Sequence, residues 1–144
     1  MRDGAAVLLA DDNATDAELT THALERGGVS GGIVWVQDGA AALEYVFRTG
    51  QFAQRAGGNP RLVLLDLHMP KIDGPEVLAR IKADPKTRSI PVVIMSSSDQ
   101  DMDMLRSYSL YANSYIVKPV DFHEFTEQFA HLGKYWMCIN QVPG

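Results

Sequence analysis

Residues 62–74 have the sequence LVLLDLHMPKIDG, and this stretch indicates both a fold class and the place of a site. Its four consecutive apolar residues, 62–65, have the length and composition of a strand that is buried on both faces. The strand ends on Asp66, and a carboxylate in that place is costly unless it is paired or solvated. We therefore expect Asp66 to lie at an edge of a sheet where chemistry takes place.

Four more apolar runs of strand length alternate with segments of helical periodicity. The predicted strands cover residues 7–10, 33–36, 62–65, 91–95 and 114–117, and the predicted helices cover residues 14–26, 40–48, 75–84, 99–108 and 121–135. Residues 49–61, rich in Gly, Gln and Arg, form a predicted loop that is longer than most. Strands that alternate with helices build right-handed βαβ units. The sequence therefore predicts an α/β protein with a doubly wound, five-stranded parallel sheet.

Polar residues follow four of the five predicted strands. Asp11 and Asp12 follow the first strand, Asp66 the third, Ser96 the fourth and Lys118 the fifth. The carboxyl ends of parallel strands meet at one edge of the sheet, where ligands bind. Each residue alone has a simpler explanation, since an acidic pair before a helix also serves as a cap. The joint arrangement favours a functional site.

The residue types at this edge suit phosphoryl chemistry with a metal. Three converging carboxylates repel one another unless a cation or a proton compensates their charge. Oxygen ligands are those that Mg²⁺ prefers, and Mg²⁺ often binds phosphate oxygens at the same time. Asp66 is a candidate nucleophile, because carboxylates can form aspartyl phosphates, and Lys118 could neutralise the transferred group. Ser96 could donate a hydrogen bond to that group.

Composition and charge argue against several other classes of function. The chain has 144 residues, 46% of them hydrophobic, and a formal net charge of -5, which suits one compact domain. Lys and Arg are not clustered, so we expect no nucleic-acid binding. The apolar runs are well short of the ~20 residues that a bilayer requires, and we expect a soluble, cytoplasmic protein without a leader or a membrane segment. Cys138, the single cysteine, is expected to be a reduced thiol.

Four segments, LLADDN, LVLLDLHMPKIDG, PVVIMSSS and SYIVKP, together resemble the signature segments of the receiver domain of two-component response regulators. The resemblance covers roughly residues 5–131 and implies a flavodoxin-like receiver fold with the strand order 2-1-3-4-5. It also implies that Asp66 accepts a phosphoryl group from a sensor histidine kinase or an intermediate phosphotransfer protein. Mg²⁺ would be bound by Asp11, Asp12, Asp66 and the backbone carbonyl of His68.

The same resemblance implies further roles around the phosphoacceptor. Ser96 would bind the phosphoryl group and, with Tyr115, form a switch that reshapes the surface of the fourth helix, the fifth strand and the fifth helix. His68 and Ser98 occupy positions that influence how quickly the aspartyl phosphate is hydrolysed. The peptide bond after Lys118 would be cis. The resemblance thus implies a signalling switch, which dephosphorylates itself slowly at most, and not a metabolic enzyme.

The C-terminal region is expected to make protein contacts. We expect a receiver domain over residues 1–132 and an aromatic extension over residues 133–144, with no output domain. The last predicted helix carries an apolar stripe, part of which faces the core by default, at Phe122, Phe125, Phe129 and Leu132. The extension and the Gly-rich loop before Arg61 make the chain similar to the single-domain receivers that accompany bacterial phytochrome histidine kinases. This similarity implies a kinase of that kind as a partner, and a homodimer.

Two other classes share parts of this pattern. A haloacid-dehalogenase-like phosphatase also uses an Asp nucleophile and Mg²⁺, but it needs a second acid two residues later, where this chain has His68. A flavodoxin-like cofactor binder needs a glycine-rich or hydroxyl-rich loop after the first strand, where this chain has Asp11 and Asp12, which would repel a phosphate that lacks a metal. A phosphate sink, which drains phosphoryl groups from a kinase and has no target of its own, would have the same sequence features as a switch.

Overall fold

The computed structural model describes residues 6–29, 32–97 and 114–135. The strands are β1 (Val7–Ala10), β2 (Ile33–Val36), β3 (Leu62–Asp66), β4 (Val92–Ser96) and β5 (Ser114–Val117). The helices are α1 (Ala14–Arg26), α2 (Gly39–Phe47), α3 (Gly74–Ala83) and the C-terminal helix (Phe122–Lys134), and a 3-10 turn covers Gly50–Phe52. The helix predicted at 99–108 and most of the predicted C-terminal extension lie outside the described residues.

The five strands form one parallel sheet in the order β2-β1-β3-β4-β5, which confirms the predicted fold class and strand order. β1 and β3 are neighbours, and Ala10 pairs with Leu65. β4 and β5 are also neighbours, and Ser96 pairs with Val117. The residues that follow these pairs therefore leave the sheet at one and the same edge.

Both faces of the sheet are covered by helices, so successive residues of the central strands point into two different cores. Leu8 and Leu65 point to the face that α2 and α3 cover. Leu9 and Leu64 point to the opposite face, which α1 and the C-terminal helix cover. All four leucines are fully buried. This explains why the strands are continuous apolar runs and do not alternate between apolar and polar residues.

Each described helix begins after an Asn or Asp whose side chain accepts a hydrogen bond from the backbone N–H three residues later. The four capping residues are Asn13, Asp38, Asp73 and Asp121. In βα units a helix starts where the preceding strand has ended, so the positive ends of the helix dipoles lie near the carboxyl edge of the sheet. The local sequence thus stabilises the helices and makes that edge favourable for negative charge.

The C-terminal helix packs closely against α1. A Cβ atom on Gly27, where α1 ends, would lie only 2.1 Å from the carbonyl oxygen of Ala130, so glycine is required by this contact. Phe125 and Phe129 are buried in the core on this side, whereas the side chain of Phe122 is 65% exposed. The predicted apolar stripe is therefore divided between the core and the surface.

The predicted loop 49–61 is organised by one arginine. The Nε of Arg55 donates a hydrogen bond to the carbonyl oxygen of Tyr45 (2.7 Å), and its guanidinium lies 4.0 Å from the centroid of the Tyr45 ring. The Phe52 ring packs edge-on against the Tyr45 ring, with the two ring centroids 5.0 Å apart. Burial lowers the pKa of Arg55 from its ordinary value. The loop 49–61 is thus attached to α2 by specific contacts.

None of the helices in the described parts of the chain is long and apolar enough to cross a bilayer.

Candidate functional site

Three carboxylates converge at the carboxyl edge of the sheet. Asp11 and Asp12 follow β1, Asp66 ends the neighbouring strand β3, and one oxygen of each lies within 4.8 Å of the others. Asp11 is fully buried, Asp12 is exposed, and the side chain of Asp66 is 13% exposed. The structure therefore brings together the three acids that the sequence placed at the strand ends.

Both the backbone and the carboxylate of Asp11 make hydrogen bonds. Its N–H donates to the carbonyl oxygen of Val36 (3.1 Å), and its Oδ1 accepts the N–H of Asn13 (2.9 Å). Its carbonyl oxygen accepts the indole Nε1–H of Trp35 (2.7 Å). Two of these bonds hold the backbone of Asp11 and the bond from Asn13 orients its carboxylate, so that the buried acid is preorganised.

The ammonium group of Lys118 lies among three carboxylates. Its Nζ is 2.9 Å from Asp11 Oδ2, 3.1 Å from Asp16 Oδ2 and 3.7 Å from Asp66 Oδ2. The side chain of Lys118 is only 7% exposed, so these contacts are weakly screened by water. Lys118 thus lies where the sequence predicted, but its partner Asp16 was not predicted.

Burial and negative charge dominate the electrostatics of the site. Burial of Asp66, together with the neighbouring Asp11 and Asp12 carboxylates, raises its pKa from 3.8 to about 7, although Lys118 acts in the opposite direction. Burial alone would lower the pKa of Lys118, but the carboxylates of Asp66 and Asp11 more than offset this and raise it. One lysine therefore does not compensate all the carboxylates, and the site suits an additional cation.

The loop after β3 contains Pro70 and Gly74, and its contacts explain why both residues follow Asp66 so closely. The Pro70 carbonyl accepts the N–H groups of Ile72 (2.8 Å) and Gly39 (3.4 Å), which turns the chain back towards the start of α2. A Cβ atom on Gly74 would lie 2.5 Å from the carbonyl oxygen of Asp66, so only glycine fits there. Asp73, beside it, caps α3. The motif thus closes a tight turn directly behind Asp66.

The other predicted residues surround this centre. Ser96 is buried at the end of β4, and its carbonyl oxygen accepts the N–H of Lys118 (2.7 Å). His68 is exposed, two residues beyond Asp66. Tyr115 on β5 is half-buried and packs against the core on the α2 and α3 side. Ser98 lies outside the described residues.

One expectation about the backbone of the site is wrong. The peptide bond between Lys118 and Pro119 is trans, as are all the other peptide bonds of the described residues. The trans isomer of an X-Pro bond is favoured by about 0.5–1 kcal/mol unless its surroundings impose the cis form. In the trans form Lys118 already reaches Asp11 and Asp16.

Comparisons with known proteins agree with this geometry. The family model described as "Response regulator receiver domain" matches residues 7–130. The probable methanogenesis regulatory protein FilR2 of Methanothrix harundinacea is 42% identical over 96% of the chain and 87% of that protein. The phosphorylated cyanobacterial phytochrome response regulator RcpA has a similar structure, with a TM-score of 0.87, 35% identity and coverage of 98% of this chain and 99% of that one. The Mn²⁺-bound response regulator Rcp1 has a TM-score of 0.86, 30% identity and coverage of 96% and 98%.

The raised pKa of Asp66 makes stability depend on pH in a specific way. Between pH 3.8 and about 7 the folded protein keeps a proton on Asp66 that the unfolded chain has lost, so without divalent cations wild-type stability falls as the pH rises through this window. Asp66→Asn removes this penalty. We expect the melting temperature of the variant to exceed that of wild type by an amount that grows with pH, to the order of 5 °C above pH ~7.

Circular dichroism melts in EDTA, taken across this pH range, check this. Asp73→Asn is the matched control, because asparagine caps a helix as well as aspartate does. Mg²⁺ should reduce the difference between Asp66→Asn and wild type, since a ligand of the folded protein stabilises it. A difference that stays constant with pH, or that the control shares, would contradict the assignment.

Proposed function

The chain belongs to the response regulator receiver domain family, and from this membership we propose that Asp66 is the residue that accepts a phosphoryl group. Members of this family are signalling proteins of two-component systems. The observation that carries the proposal is the convergence of Asp66 with Asp11, Asp12 and the buried ammonium of Lys118. The Asp66 carboxylate would serve as the nucleophile, and Lys118 would neutralise charge on the group that it receives.

The transfer itself is a displacement at phosphorus. An ionised oxygen of Asp66 attacks the phosphorus atom, a new P–O bond forms, and the P–N bond to a phosphohistidine of the donor breaks, so that the electron pair returns to the imidazole. The Nζ of Lys118 and the hydroxyl of Ser96 belong to buried residues, and we assign to them the stabilisation of the phosphoryl oxygens. Attack requires Asp66 to be ionised, but the pKa of Asp66 is raised to about 7. A cation in addition to Lys118 would lower this pKa and so favour the ionised nucleophile.

Receiver domains bind Mg²⁺ or Mn²⁺ at an acidic pocket, and the acidic cluster of this chain suits such an ion. We propose that Mg²⁺ is its cofactor, bound by the carboxylates of Asp11, Asp12 and Asp66 and by the backbone carbonyl of His68. Carboxylate and carbonyl oxygens are hard ligands of the kind that Mg²⁺ prefers. When bound, the ion supplies positive charge to the phosphoryl oxygens.

The output of the phosphorylated protein is proposed to be a change of surface. Ser96 and Tyr115 would form the switch, because Ser96 ends β4 beside the site and Tyr115 lies on the adjacent strand β5. Tyr115 is half-buried, so a shift of its ring would alter both the core on the α2 side and the surface around β5. The message would pass by contact with another protein, as in other switches where a local charge biases a two-state element.

Response regulators work with sensor histidine kinases, and the similar proteins include phytochrome response regulators. We propose that a phytochrome-type kinase phosphorylates this chain. We also propose a cytoplasmic location, since such kinases draw their phosphoryl groups from ATP.

The decisive test is phosphorylation by a small donor. We expect wild-type protein incubated with acetyl phosphate and Mg²⁺ to gain the mass of one phosphoryl group in intact-mass spectrometry. Asp66→Asn should gain none, because an amide is not a nucleophile here, and EDTA should suppress the gain in wild type by at least about tenfold.

Asp73→Asn again provides the control, since it makes the same chemical change in the loop beside the site without removing a member of the acidic cluster. This variant should be phosphorylated like wild type. Wild-type protein that gains no mass, or Asp66→Asn that gains as much as wild type, would contradict the proposed function.

We propose that His68 and Ser98 set the lifetime of the phosphorylated state. His68 is exposed two residues beyond Asp66, where an imidazole can act on the attacking water. We therefore expect His68→Ala to be phosphorylated normally and to lose its phosphoryl group more slowly, with a half-life at least about threefold longer, which intact-mass time courses after removal of the donor would measure. His123→Ala, which removes an 80% exposed histidine of the C-terminal helix, should keep the wild-type half-life. An unchanged half-life in His68→Ala would leave only its backbone carbonyl with a role.

We propose a homodimer formed through the C-terminal region. Three large apolar side chains are exposed on or beside the C-terminal helix, those of Val120, Phe122 and Tyr135. Val120 and Phe122 lie two residues apart where the helix begins, and Tyr135 follows its last residue. Exposed apolar patches are typical of protein interfaces. We expect light scattering at micromolar concentration to give the mass of a dimer, and Phe122→Ser to shift it towards monomer. Wild-type protein that is monomeric under these conditions would contradict the proposal.

A further inference from the structure

Lys118 has a third carboxylate partner whose position the phosphoryl chemistry does not explain. The Nζ of Lys118 lies 3.1 Å from Oδ2 of Asp16, within hydrogen-bonding distance, but 3.7 Å from Oδ2 of Asp66. Asp16 lies in the first turn of α1 and is 30% exposed. In the described state the ammonium is therefore bonded to the Asp11 and Asp16 side of the site and is farther from the nucleophile.

The start of α1 leaves the carboxylate of Asp16 free for this contact. In a capping box, a Glu or Gln three residues after the cap reaches back to the N–H of the capping residue. Here the N–H of the capping residue Asn13 donates to Oδ1 of Asp11 (2.9 Å). The backbone N–H of Asp16 still donates to the side chain of Asn13 (2.9 Å), so the helix is capped from one direction only. The carboxylate of Asp16 is then directed to Lys118.

We propose that Asp16 is a positioning residue, which holds Lys118 away from Asp66 before phosphorylation. When a phosphoryl group is present on Asp66, the hydrogen bond between Lys118 and Asp16 weakens or breaks. The inference rests on the proposed function, since it concerns the lysine that would pair with that group. The ammonium of Lys118 has three N–H donors, and in the described state it donates one hydrogen bond to Asp11 and one to Asp16. A phosphoryl group on Asp66 adds charge and strong acceptors on the far side of the same nitrogen, and it draws the ammonium towards Asp66 and away from Asp16.

This arrangement makes Asp16 favour the unphosphorylated state. A bond that is present before phosphorylation and weakened after it stabilises the first state relative to the second, by its own differential free energy and no more. Removal of the Asp16 carboxylate should therefore favour the state in which Lys118 bonds to the phosphoryl group. The effect is limited because Asp16 is partly exposed and its contact is partly screened.

The test uses beryllofluoride, a phosphoryl mimic that binds an ionised carboxylate without a covalent P–O bond. Its affinity would be measured by ¹⁹F NMR titration at saturating Mg²⁺, so that metal binding does not limit the result. We expect Asp16→Ala to bind it about fivefold more tightly than wild type, which corresponds to about 1 kcal/mol. Asp16→Asn, which can still accept a hydrogen bond from Lys118 but has lost the charge, should gain less. Asp16→Glu, which retains a carboxylate, should remain near wild type.

Glu18→Gln is the matched control, because it removes one negative charge from the same helix at an exposed position beside Trp35. It should bind beryllofluoride like wild type. A direct signature is the ¹⁵N signal of the Lys118 ammonium in the unphosphorylated protein, which should shift in Asp16→Ala and not in Glu18→Gln. A melting curve for each variant shows whether it is folded, so that a change in binding can be assigned to the lost contact between Asp16 and Lys118 and not to unfolding.

The outcomes separate the inference from the proposed function. If wild type binds beryllofluoride but Asp16→Ala binds it equally or more weakly, the positioning role of Asp16 is overturned and the phosphoacceptor remains. A gain in Glu18→Gln as large as that in Asp16→Ala would also overturn it, because the cause would then be net charge. If wild type itself does not bind beryllofluoride, the proposed function fails and the inference fails with it.

Discussion

The site depends on one constraint, which is that several carboxylates share a single buried ammonium. Asp11 is fully buried and Asp66 nearly so, and two ionised carboxylates at this depth carry a desolvation penalty of several kcal/mol each unless they are paired. Lys118 offsets part of this penalty through contacts with both. Its compensation is incomplete, since burial and the Asp11 and Asp12 carboxylates still raise the pKa of Asp66 to about 7. The uncompensated charge is what makes a metal ion a favourable addition to this fold.

The strand order imposes a further requirement on Lys118. β1 and β5 are separated by β3 and β4, so their axes lie roughly 14 Å apart at the usual strand spacing. Lys118 follows β5 and nevertheless bonds to Asp11, which follows β1. Only a long side chain can extend across the ends of two intervening strands, and a small residue, Ser96, ends the strand β4 in between. The choice of lysine and serine at these positions follows from the topology as much as from the chemistry.

Those features that depend on topology and local signals could be predicted from the sequence. The bounds of α1 are those predicted, because Asn13 caps it and glycine follows its last residue. The convergence of Asp11, Asp12 and Asp66 could be predicted because each of them lies at the end of a strand. The family match supports the receiver interpretation over the phosphatase and flavin alternatives. Asp16 was missed because an acid in the first turn of a helix is ordinarily assigned to the cap, and only the direction of its side chain shows otherwise. The conformation of loop 49–61 could not be predicted, because it involves a cation–π contact between Arg55 and Tyr45. These residues are ten positions apart, and no short sequence motif encodes such a contact.

The proposed coupling between the site and the surface is supported by one backbone hydrogen bond. The N–H of Lys118 donates to the carbonyl oxygen of Ser96 at 2.7 Å, so the ends of β4 and β5 move together or the bond is lost. Tyr115 and Val117 lie on β5 immediately before Lys118, and both pack against the core on the α2 and α3 side. A close-packed core does not deform continuously, so the proposed displacement of Ser96 or Lys118 towards a phosphoryl group would require repacking of these two side chains. Tyr115, which is half-buried, has solvent on one side and can change its position at lower cost than its fully buried neighbours on β4. Under the proposed function, a change of charge at Asp66 would thereby produce a change of shape at the edge of the sheet.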